Sequence, residues 1–160
     1  MKEEASSMTE KTSMKIKKLS PLLGSKIPLP AYATPGAAAF DLHACIEEPI
    51  TLQPGERTLI PCGFAMALED SGLVALIFAR SGLACKKGIS LANSVGVVDS
   101  DYRGEVMVCL VNTGHEPYVI EAGERIAQMG IFPVALAEFS LCDELPDTVR
   151  GSGGFGSTGK

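Results

Sequence analysis

Aromatic residues are scarce in this sequence, and tryptophan is absent from it. Aromatic side chains make up 6% of the 160 residues, whereas the chain contains 17 glycines and 10 prolines. Because glycine and proline favour tight turns, this balance predicts short strands joined by turns rather than long helices. The length is sufficient for one domain with one hydrophobic core, but not comfortably for two.

The chain also lacks an excess of positive charge. Its formal net charge is −5 at pH 7. Proteins that bind nucleic acid usually present a basic face to the phosphate backbone, so we expect no nucleic-acid partner. A small phosphorylated ligand is compatible with this charge, provided that the positive charge is locally concentrated and a divalent cation assists.

Closely spaced cysteines and long apolar segments are missing as well. The five cysteines lie at least 17 residues apart, so no C-x-x-C pair exists and a zinc knuckle is not expected. Their odd number and apolar surroundings predict reduced, buried thiols in a reducing compartment. No apolar run approaches the roughly 18 residues of a membrane-spanning helix, so no membrane partner is expected. Residues 1–13 lack a hydrophobic signal region and are predicted to be a disordered leader of a cytoplasmic protein.

The segments that are present predict an all-β fold. Alternating or apolar stretches of strand length are separated by turn residues, as in LVALIFA and around the turn QPGE. The segment RSGLACKKGI at 80–89 is predicted to be a loop, because no segment shows the 3.6-residue period over helical length. The tripeptide GER occurs twice, in PGER and in AGER, and its glycine lies in a turn each time, which indicates reuse of one turn type. The pattern favours a barrel or jelly-roll-like sandwich, followed from about residue 143 by a flexible, glycine-rich tail.

The tail ends in RGSGGFGSTGK, part of which fits the spacing G-x-x-x-x-G-K of a P-loop. A P-loop requires a following helix and a Ser or Thr after the lysine, and neither follows Lys160 here. A disordered linker is the simpler alternative. Phe155 favours a third interpretation, because stacking on a base stabilises binding by roughly 1–3 kcal/mol. The tail is therefore predicted to be a lid that orders over a nucleotide.

Polar residues at strand ends provide the remaining candidates. Asp99 lies in VVDSDYRGE, where it either stabilises a turn through its own backbone or accepts a proton from water. Residues 80–82 (Arg-Ser-Gly) form either an ordinary loop or a phosphate contact, since arginine binds phosphate through paired donors. Asp41 at a strand start is explained equally simply by a hydrogen bond to the backbone. Gln128 in an apolar strand is explained equally simply by a position that faces solvent.

Five segments, GAAAFDL, RSGLA, NSVGVVDSDYRGE, GERIAQM and RGSGGFGSTG, occur in this order. Together they resemble motifs one to five of the trimeric dUTPase family, over about residues 14–159. The resemblance implies a jelly-roll-like β-barrel at 14–142, a C-terminal arm and active-site lid at 143–160, and a homotrimer whose sites are shared between subunits. It also implies Mg²⁺-assisted hydrolysis of dUTP to dUMP and pyrophosphate, which limits uracil in DNA and supplies dUMP for dTMP synthesis.

The resemblance also implies residue roles. Asp99 corresponds to the general base, and Asp41 to a carboxylate that acts on the metal through water, although Ala39 replaces the family's usual glycine two residues earlier. The implied substrate-binding residues are, for the phosphates, Arg80, Ser81, Gly82 and Gln128; for uracil, Asn93, Val97, Val98 and Met107; for the deoxyribose, Tyr102; and in the lid, Arg150, Phe155, Gly156, Ser157 and Thr158.

Two other functions are compatible with such a fold. A dCTP deaminase of the same superfamily would need a different second motif and a glutamate that acts on the base. A non-catalytic β-scaffold would need the fold alone, so that Asp99 and Phe155 would be dispensable.

Overall fold

The computed structural model describes residues 12–154, which form ten strands and one short helix. Every strand pairs in the antiparallel sense. The elements are β1 Met14–Lys18, β2 Phe40–His43, β3 Ile50–Leu52, β4 Arg57–Leu68, β5 Leu73–Ala79, α1 Ser81–Lys87, β6 Ile89–Leu91, β7 Gly96–Asp99, β8 Glu105–Asn112, β9 Tyr118–Ile120 and β10 Arg125–Pro133.

The strands form two four-stranded sheets and one two-stranded sheet. The first sheet has the order β1-β4-β8-β6, the second has the order β2-β10-β5-β7, and β3 pairs with β9. Both larger sheets bury one face in a single hydrophobic core, to which the first contributes Ile60 and Val108 and the second contributes Ile77 and Met129. The predicted all-β, jelly-roll-like architecture is confirmed.

Strand β8 shows why these segments form half-buried strands. Val106, Val108 and Leu110 are each 1% exposed, whereas the residues between them point outward and are partly or largely accessible. This two-residue period is the one that a strand with one face on the core requires.

The two GER turns share one geometry, as the sequence predicted. Gly55 and Gly123 adopt φ angles of 81° and 76°, a left-handed conformation that glycine adopts without steric cost. In each turn the following glutamate accepts a hydrogen bond on its carboxylate from the backbone N–H three residues earlier, at 2.8 Å for Glu56 and 3.1 Å for Glu124. Each turn directly follows one strand of the small β3–β9 sheet, so the repeated tripeptide lies just after the carboxyl end of both strands.

The predicted loop at 80–89 is wrong, because Ser81–Lys87 form helix α1. Gly88 ends the helix in the left-handed conformation with φ 70°, and Lys86 and Lys87 in the last turn complement the helix dipole. Only Leu83 is buried in α1. A single buried position in seven residues produces no detectable helical period, which explains the wrong prediction.

The prediction of buried thiols holds for only part of the cysteine set. Cys45 and Cys62 are buried, but Cys85 and Cys142 are exposed, and all five cysteines are free. Burial raises the pKa of the Cys62 thiol well above its usual value, and the nearby Glu105 carboxylate adds to this effect.

The last strand ends at Pro133, and residues 134–154 form no helix or strand. Five apolar side chains of this segment are largely exposed, at Leu136, Phe139, Leu141, Leu145 and Val149. Among residues 12–154, no helix has the length and apolar composition needed to cross a membrane.

Candidate active site

The main candidate site is a cleft between β7 and β8. These strands are consecutive in the chain, but β7 pairs with β5 in the second sheet and β8 pairs with β4 in the first. The two strands therefore diverge, and they enclose a cavity of about 340 Å³. Its lining consists of Leu59, Val97, Val98, Asp99, Tyr102, Glu105, Val106 and Met107. Four of the sequence-predicted residues (Val97, Val98, Tyr102 and Met107) and the predicted base Asp99 are thus brought together.

One wall of this cleft is an edge strand. Strand β7 is the last strand of its sheet, so in the described part of the chain its outer backbone N–H and C=O groups have no ladder partner. Val97 is 63% exposed and Met107 is 39% exposed. An edge with free donors and acceptors between exposed apolar side chains can bind a flat polar ligand edge-on.

The turn between β7 and β8 fixes Tyr102 at the cleft. The Tyr102 hydroxyl donates to the Glu105 carbonyl at 3.1 Å, and the Tyr102 N–H donates to the Asp99 carbonyl at 3.2 Å. The Arg103 guanidinium donates to the carbonyls of Ser100 and Tyr102 at 2.7 and 2.9 Å. The arginine of this motif therefore holds the turn, while the tyrosine faces the cleft.

Asp99 is the last residue of β7, and its side chain is exposed. Within residues 12–154 its carboxylate forms no hydrogen bond or ion pair, in contrast to the other aspartate of interest, Asp41. An exposed carboxylate in a cleft can accept a proton from a bound water. The neighbouring Asp101 does not line the cavity.

A second group of functional side chains forms what we term the charged cluster: Asp41, Arg80, Arg125 and Gln128. Asp41 Oδ1 accepts from Arg80 Nε at 3.2 Å and from Gln128 Nε2 at 3.4 Å. Asp41 Oδ2 accepts from an Arg125 guanidinium nitrogen at 3.2 Å. Residues from three separate sequence motifs thus meet around one carboxylate whose side chain is 9% exposed.

The register of the second sheet creates this cluster. Gln128 on β10 lies opposite Asp41 on β2 and opposite Phe78 on β5. Arg80 follows the end of β5 as the N-cap of α1, so that Ser81 and Gly82 lie in the first helical turn, where both are exposed. Arg80 also donates to the Arg125 carbonyl at 3.1 Å, which joins the two arginines directly.

Arg125 was not predicted from the sequence. The available signal is its position three residues before Gln128 in GERIAQ, but no local pattern shows that Arg125 reaches Asp41 on another strand. Its side chain is 53% exposed, so it can contact a ligand in addition to Asp41.

Two further titratable groups lie beside the charged cluster. Burial lowers the pKa of His43 from its usual value, and the guanidinium charges of Arg125 and Arg80 oppose its protonation, whereas Asp41 favours it. The Tyr118 hydroxyl donates to the Glu124 carboxylate, and burial together with this bond raises the pKa of Tyr118 to about 12.

The structure does not bring all the predicted site residues to the cleft or the charged cluster. Asn93 precedes β7 in an exposed turn and does not line the cavity. Arg150 is exposed and donates from Nε to the Gly153 carbonyl at 2.9 Å, also away from the cavity lining. Phe155, Gly156, Ser157 and Thr158 lie outside the described residues.

An apolar cleft at an edge strand and a separate cluster of guanidinium donors, both carried on an antiparallel jelly-roll-like barrel, fit the class of β-barrel proteins that bind and hydrolyse nucleotides. The family model described as dUTPase matches residues 25–159 of this sequence. The chain belongs to the dUTPase family, a family of hydrolases that act on phosphoric anhydrides, and both predictions are confirmed.

Individual relatives agree with this assignment. A deoxyuridine 5'-triphosphate nucleotidohydrolase of Hahella chejuensis is 56% identical over 149 residues, covering 93% of this chain and 98% of the relative. The enzyme of the same name from Desulfitobacterium hafniense is 56% identical over 131 residues, covering 82% and 87%.

Solved structures are similar in fold. The Staphylococcus bacteriophage 80alpha dUTPase with dUPNHPP has a TM-score of 0.80 and 26% identity, covering 92% of this chain and 99% of that one. A mutant dUTPase of phage phi11 of S. aureus, described with a structural Mg(II) ion, has a TM-score of 0.73 and 20% identity, covering 84% and 99%.

Proposed function

We propose that this chain hydrolyses dUTP to dUMP and pyrophosphate, with Asp99 as the general base. The observation that carries the proposal is the Asp99 carboxylate at the wall of the β7–β8 cleft, which has no hydrogen-bond or ion-pair partner among residues 12–154. Asp99 takes a proton from a water molecule as the water oxygen bonds to the α-phosphorus. The bond from this phosphorus to the oxygen that bridges the α- and β-phosphates breaks, and pyrophosphate leaves. The names of the relatives support dUTP as the substrate.

The free edge of β7 supports uracil as the base. Backbone groups of Val97 and Val98, and of Met107 across the cleft, are proposed to present donors and acceptors to the base edge. Asn93, which lies in the turn before β7 and does not line the cavity, is proposed to add a contact when the nucleotide binds. Cytosine carries a donor where uracil carries an acceptor, so it would leave a buried polar group unpaired, which discriminates strongly. The methyl group of thymine is proposed to be excluded by a clash with the backbone of β7 at the wall of the cleft.

The ring of Tyr102 is proposed to lie under the deoxyribose. Its hydroxyl is already tied to the Glu105 carbonyl at 3.1 Å, so the ring is held before any nucleotide binds. A ring fixed in this position leaves no room for a 2′-hydroxyl and thereby rejects ribonucleotides.

The charged cluster and the first turn of α1 are proposed to bind the phosphates. Arg80, Ser81, Gly82 and Gln128 supply guanidinium, hydroxyl, backbone and amide donors, and Arg150 of the C-terminal segment adds a further guanidinium. In the charged cluster, Arg80 and Arg125 concentrate positive charge locally in a chain with a net charge of −5.

Mg²⁺ is proposed as the cofactor, carried by the triphosphate, where it neutralises charge that develops in the reaction. No group of three or more His, Cys, Asp or Glu side chains suited to a metal occurs in the described part of the chain. Asp41 accepts three protein hydrogen bonds, whereas a carboxylate offers about four acceptor positions. The remaining position fits a contact with a metal-bound water, which agrees with the proposed indirect role of Asp41.

The C-terminal segment is proposed to extend to a neighbouring subunit in a homotrimer. Leu136, Phe139, Leu141 and Leu145 are each more than 80% exposed, and apolar side chains in such numbers usually mark an association surface. In this proposal the barrel spans residues 14–142, the leader precedes it, and residues 143–160 form the arm and lid. Phe155 of the lid stacks on the base, while residues 156–158 contact the phosphates.

The deciding experiment is a pyrophosphate-release assay with dUTP, dTTP, dCTP and UTP at equal concentrations. We expect rapid release from dUTP and little from the other three. Ammonia release from dCTP would indicate a deaminase instead, and the absence of any turnover would favour a non-catalytic scaffold. In the cell, the proposed reaction limits uracil in DNA and supplies dUMP for dTMP synthesis.

Deletion of residues 150–160 tests the proposed lid. Because no strand includes residues 150–154, the deletion is expected to leave the melting temperature unchanged while it strongly lowers kcat/KM for dUTP. Loss of the cooperative melting transition would instead assign a structural role to this segment.

A further inference from the structure

The ladder between β4 and β8 is interrupted beside the cleft. Pro61 pairs with Met107 and Ala65 pairs with Glu105, so residues 62–64 of β4 lie opposite Val106 alone. Such a bulge leaves backbone groups without a ladder partner. The Gly63 N–H is one of them, and it donates to Glu105 Oε1 at 2.9 Å. A side chain of β8 therefore replaces the missing backbone bond.

The bulge itself is firmly fixed. Gly63 has a φ of 78°, and a Cβ atom at this position would lie 2.4 Å from Cys45 Sγ. Its carbonyl accepts from the N–H groups of Leu19 and Ser20 at 2.9 and 3.2 Å. Because the bulge can hardly move, the bond from Gly63 positions Glu105 rather than the reverse.

Glu105 has a second contact, which reaches into the cleft. Its carbonyl oxygen accepts the hydrogen bond from the Tyr102 hydroxyl, and Glu105 and Tyr102 both line the cavity. Tyr102 also lies tightly against Gly104, where a Cβ atom would be 2.2 Å from the tyrosine hydroxyl. One residue thus connects the fixed bulge to the aromatic ring.

We propose that Glu105 is a positioning residue that anchors Tyr102 to the β4 bulge and thereby sets the discrimination between dUTP and UTP. The inference rests on the proposed function, because it assumes that the Tyr102 ring excludes the 2′-hydroxyl. When the Glu105 carboxylate is removed, the start of β8 can shift, and the carbonyl that holds the tyrosine shifts with it.

The test measures kcat/KM for dUTP and for UTP in Glu105→Met and Glu105→Gln. Methionine has a similar length but cannot replace the carboxylate acceptor, whereas glutamine keeps an acceptor oxygen. We expect the ratio of dUTP to UTP efficiency to fall about tenfold in Glu105→Met, since a buried N–H loses its partner, and to stay within about threefold of wild type in Glu105→Gln. An unchanged ratio in Glu105→Met would overturn the proposal.

A second comparison separates positioning from general destabilisation. Tyr102→Phe removes the hydroxyl that contacts the Glu105 carbonyl, so adding Glu105→Met to this variant is expected to lower the ratio no further. Equal effects in both backgrounds would mean that Glu105 does not act through Tyr102. If Glu105→Met fails to fold, Glu105→Asp serves instead, because its shorter side chain keeps the charge but does not reach Gly63. It should also lower the ratio, and an unchanged ratio would again contradict the proposal.

The wild-type protein distinguishes this inference from the proposed function. If it releases no pyrophosphate from dUTP, the proposed function fails, and the inference fails with it. If it hydrolyses dUTP and rejects UTP while the Glu105 variants keep the wild-type ratio, the inference alone is wrong.

Discussion

The β7–β8 cleft and the charged cluster differ in how their functional groups are held before a ligand binds. In the cleft, the Asp99 carboxylate and the edge of β7 have no partner within residues 12–154. In the cluster, every group is engaged, because Asp41 accepts from Arg80, Arg125 and Gln128. The cleft therefore offers its free groups to a ligand, whereas the cluster uses an internal carboxylate to keep two guanidinium groups close together.

This difference has an electrostatic reason. Arg80 and Arg125 carry like charges and lie close together, so they repel each other. The nearly buried Asp41 between them removes most of that repulsion. Arg80 and Arg125 can then stay ordered in the free protein, at the expense of part of their attraction for a polyanion. Carboxylate and backbone groups of the cleft need no such compensation because they lie at an edge open to water.

The largest expected effect comes from the cleft. Asp99→Asn should lower kcat for dUTP by about 10²- to 10⁴-fold, the usual size of a lost general base. The binding of dUTP should persist, since the amide occupies the same volume. Steady-state kinetics and titration of the variant with a non-hydrolysable analogue measure the two quantities. Asp101→Asn is the matched control, and a near-normal kcat in Asp99→Asn would refute the assigned role.

A smaller effect is expected from the cluster. Arg125→Gln removes one charge-assisted contact and should raise the KM for dUTP by about tenfold, with the preference for dUTP over dTTP unchanged. Arg57→Gln, at an exposed arginine on β4, is the control for the loss of one positive charge. A change in base preference would show that the cleft and the cluster are not independent.

Gly104→Ala should affect the cleft by a smaller factor. The added Cβ would lie 2.2 Å from the Tyr102 hydroxyl oxygen, so the ring must move. Because Tyr102 is 45% exposed, it can move with little loss of stability, while the dUTP to UTP ratio falls by at most about tenfold. Gly36→Ala, where an added Cβ meets nothing within 4 Å, is the control. A melting temperature that falls with an unaltered ratio would contradict this explanation.

The smallest effect concerns the surroundings of the cluster. Burial raises the pKa of Tyr118 from 10 to about 12. Between these values the folded protein keeps a proton that the unfolded chain releases, so this contribution to stability is complete below pH 10 and is lost as the pH rises towards 12. Tyr118→Phe should therefore show a shallower alkaline loss of stability in denaturation curves. Parallel curves for both proteins would exclude this contribution.

The sequence predicted the parts that depend on local pattern. The alternation in β8 and the glycines of the two GER turns are local signals, and the structure agrees with both. Helix α1 was missed because it is short and buries only Leu83. Arg125 and Glu105 were missed because their partners, Asp41 and Gly63, are 84 and 42 residues away, and only the sheet register and the β4 bulge bring them together.

The candidate cleft was predictable to a similar extent. Val97, Asp99 and Tyr102 follow one another closely in β7 and the turn after it, so a sequence motif locates them together. Leu59 of the cavity lining comes from the neighbouring strand β4, and no local signal distinguishes it from any other exposed leucine.

The divergence of β7 and β8 into separate sheets has a consequence for how the core and the cleft are coupled. The width of the cleft is set by the spacing of the two sheets, which the interdigitated side chains between them determine. Core substitutions that change this thickness, such as Ile77→Val on β5, opposite Gly96 in the ladder, or Val108→Ala on the buried face of β8, should narrow or tilt the cleft without touching any bound ligand. The core of this barrel therefore acts as a spacer for its binding site.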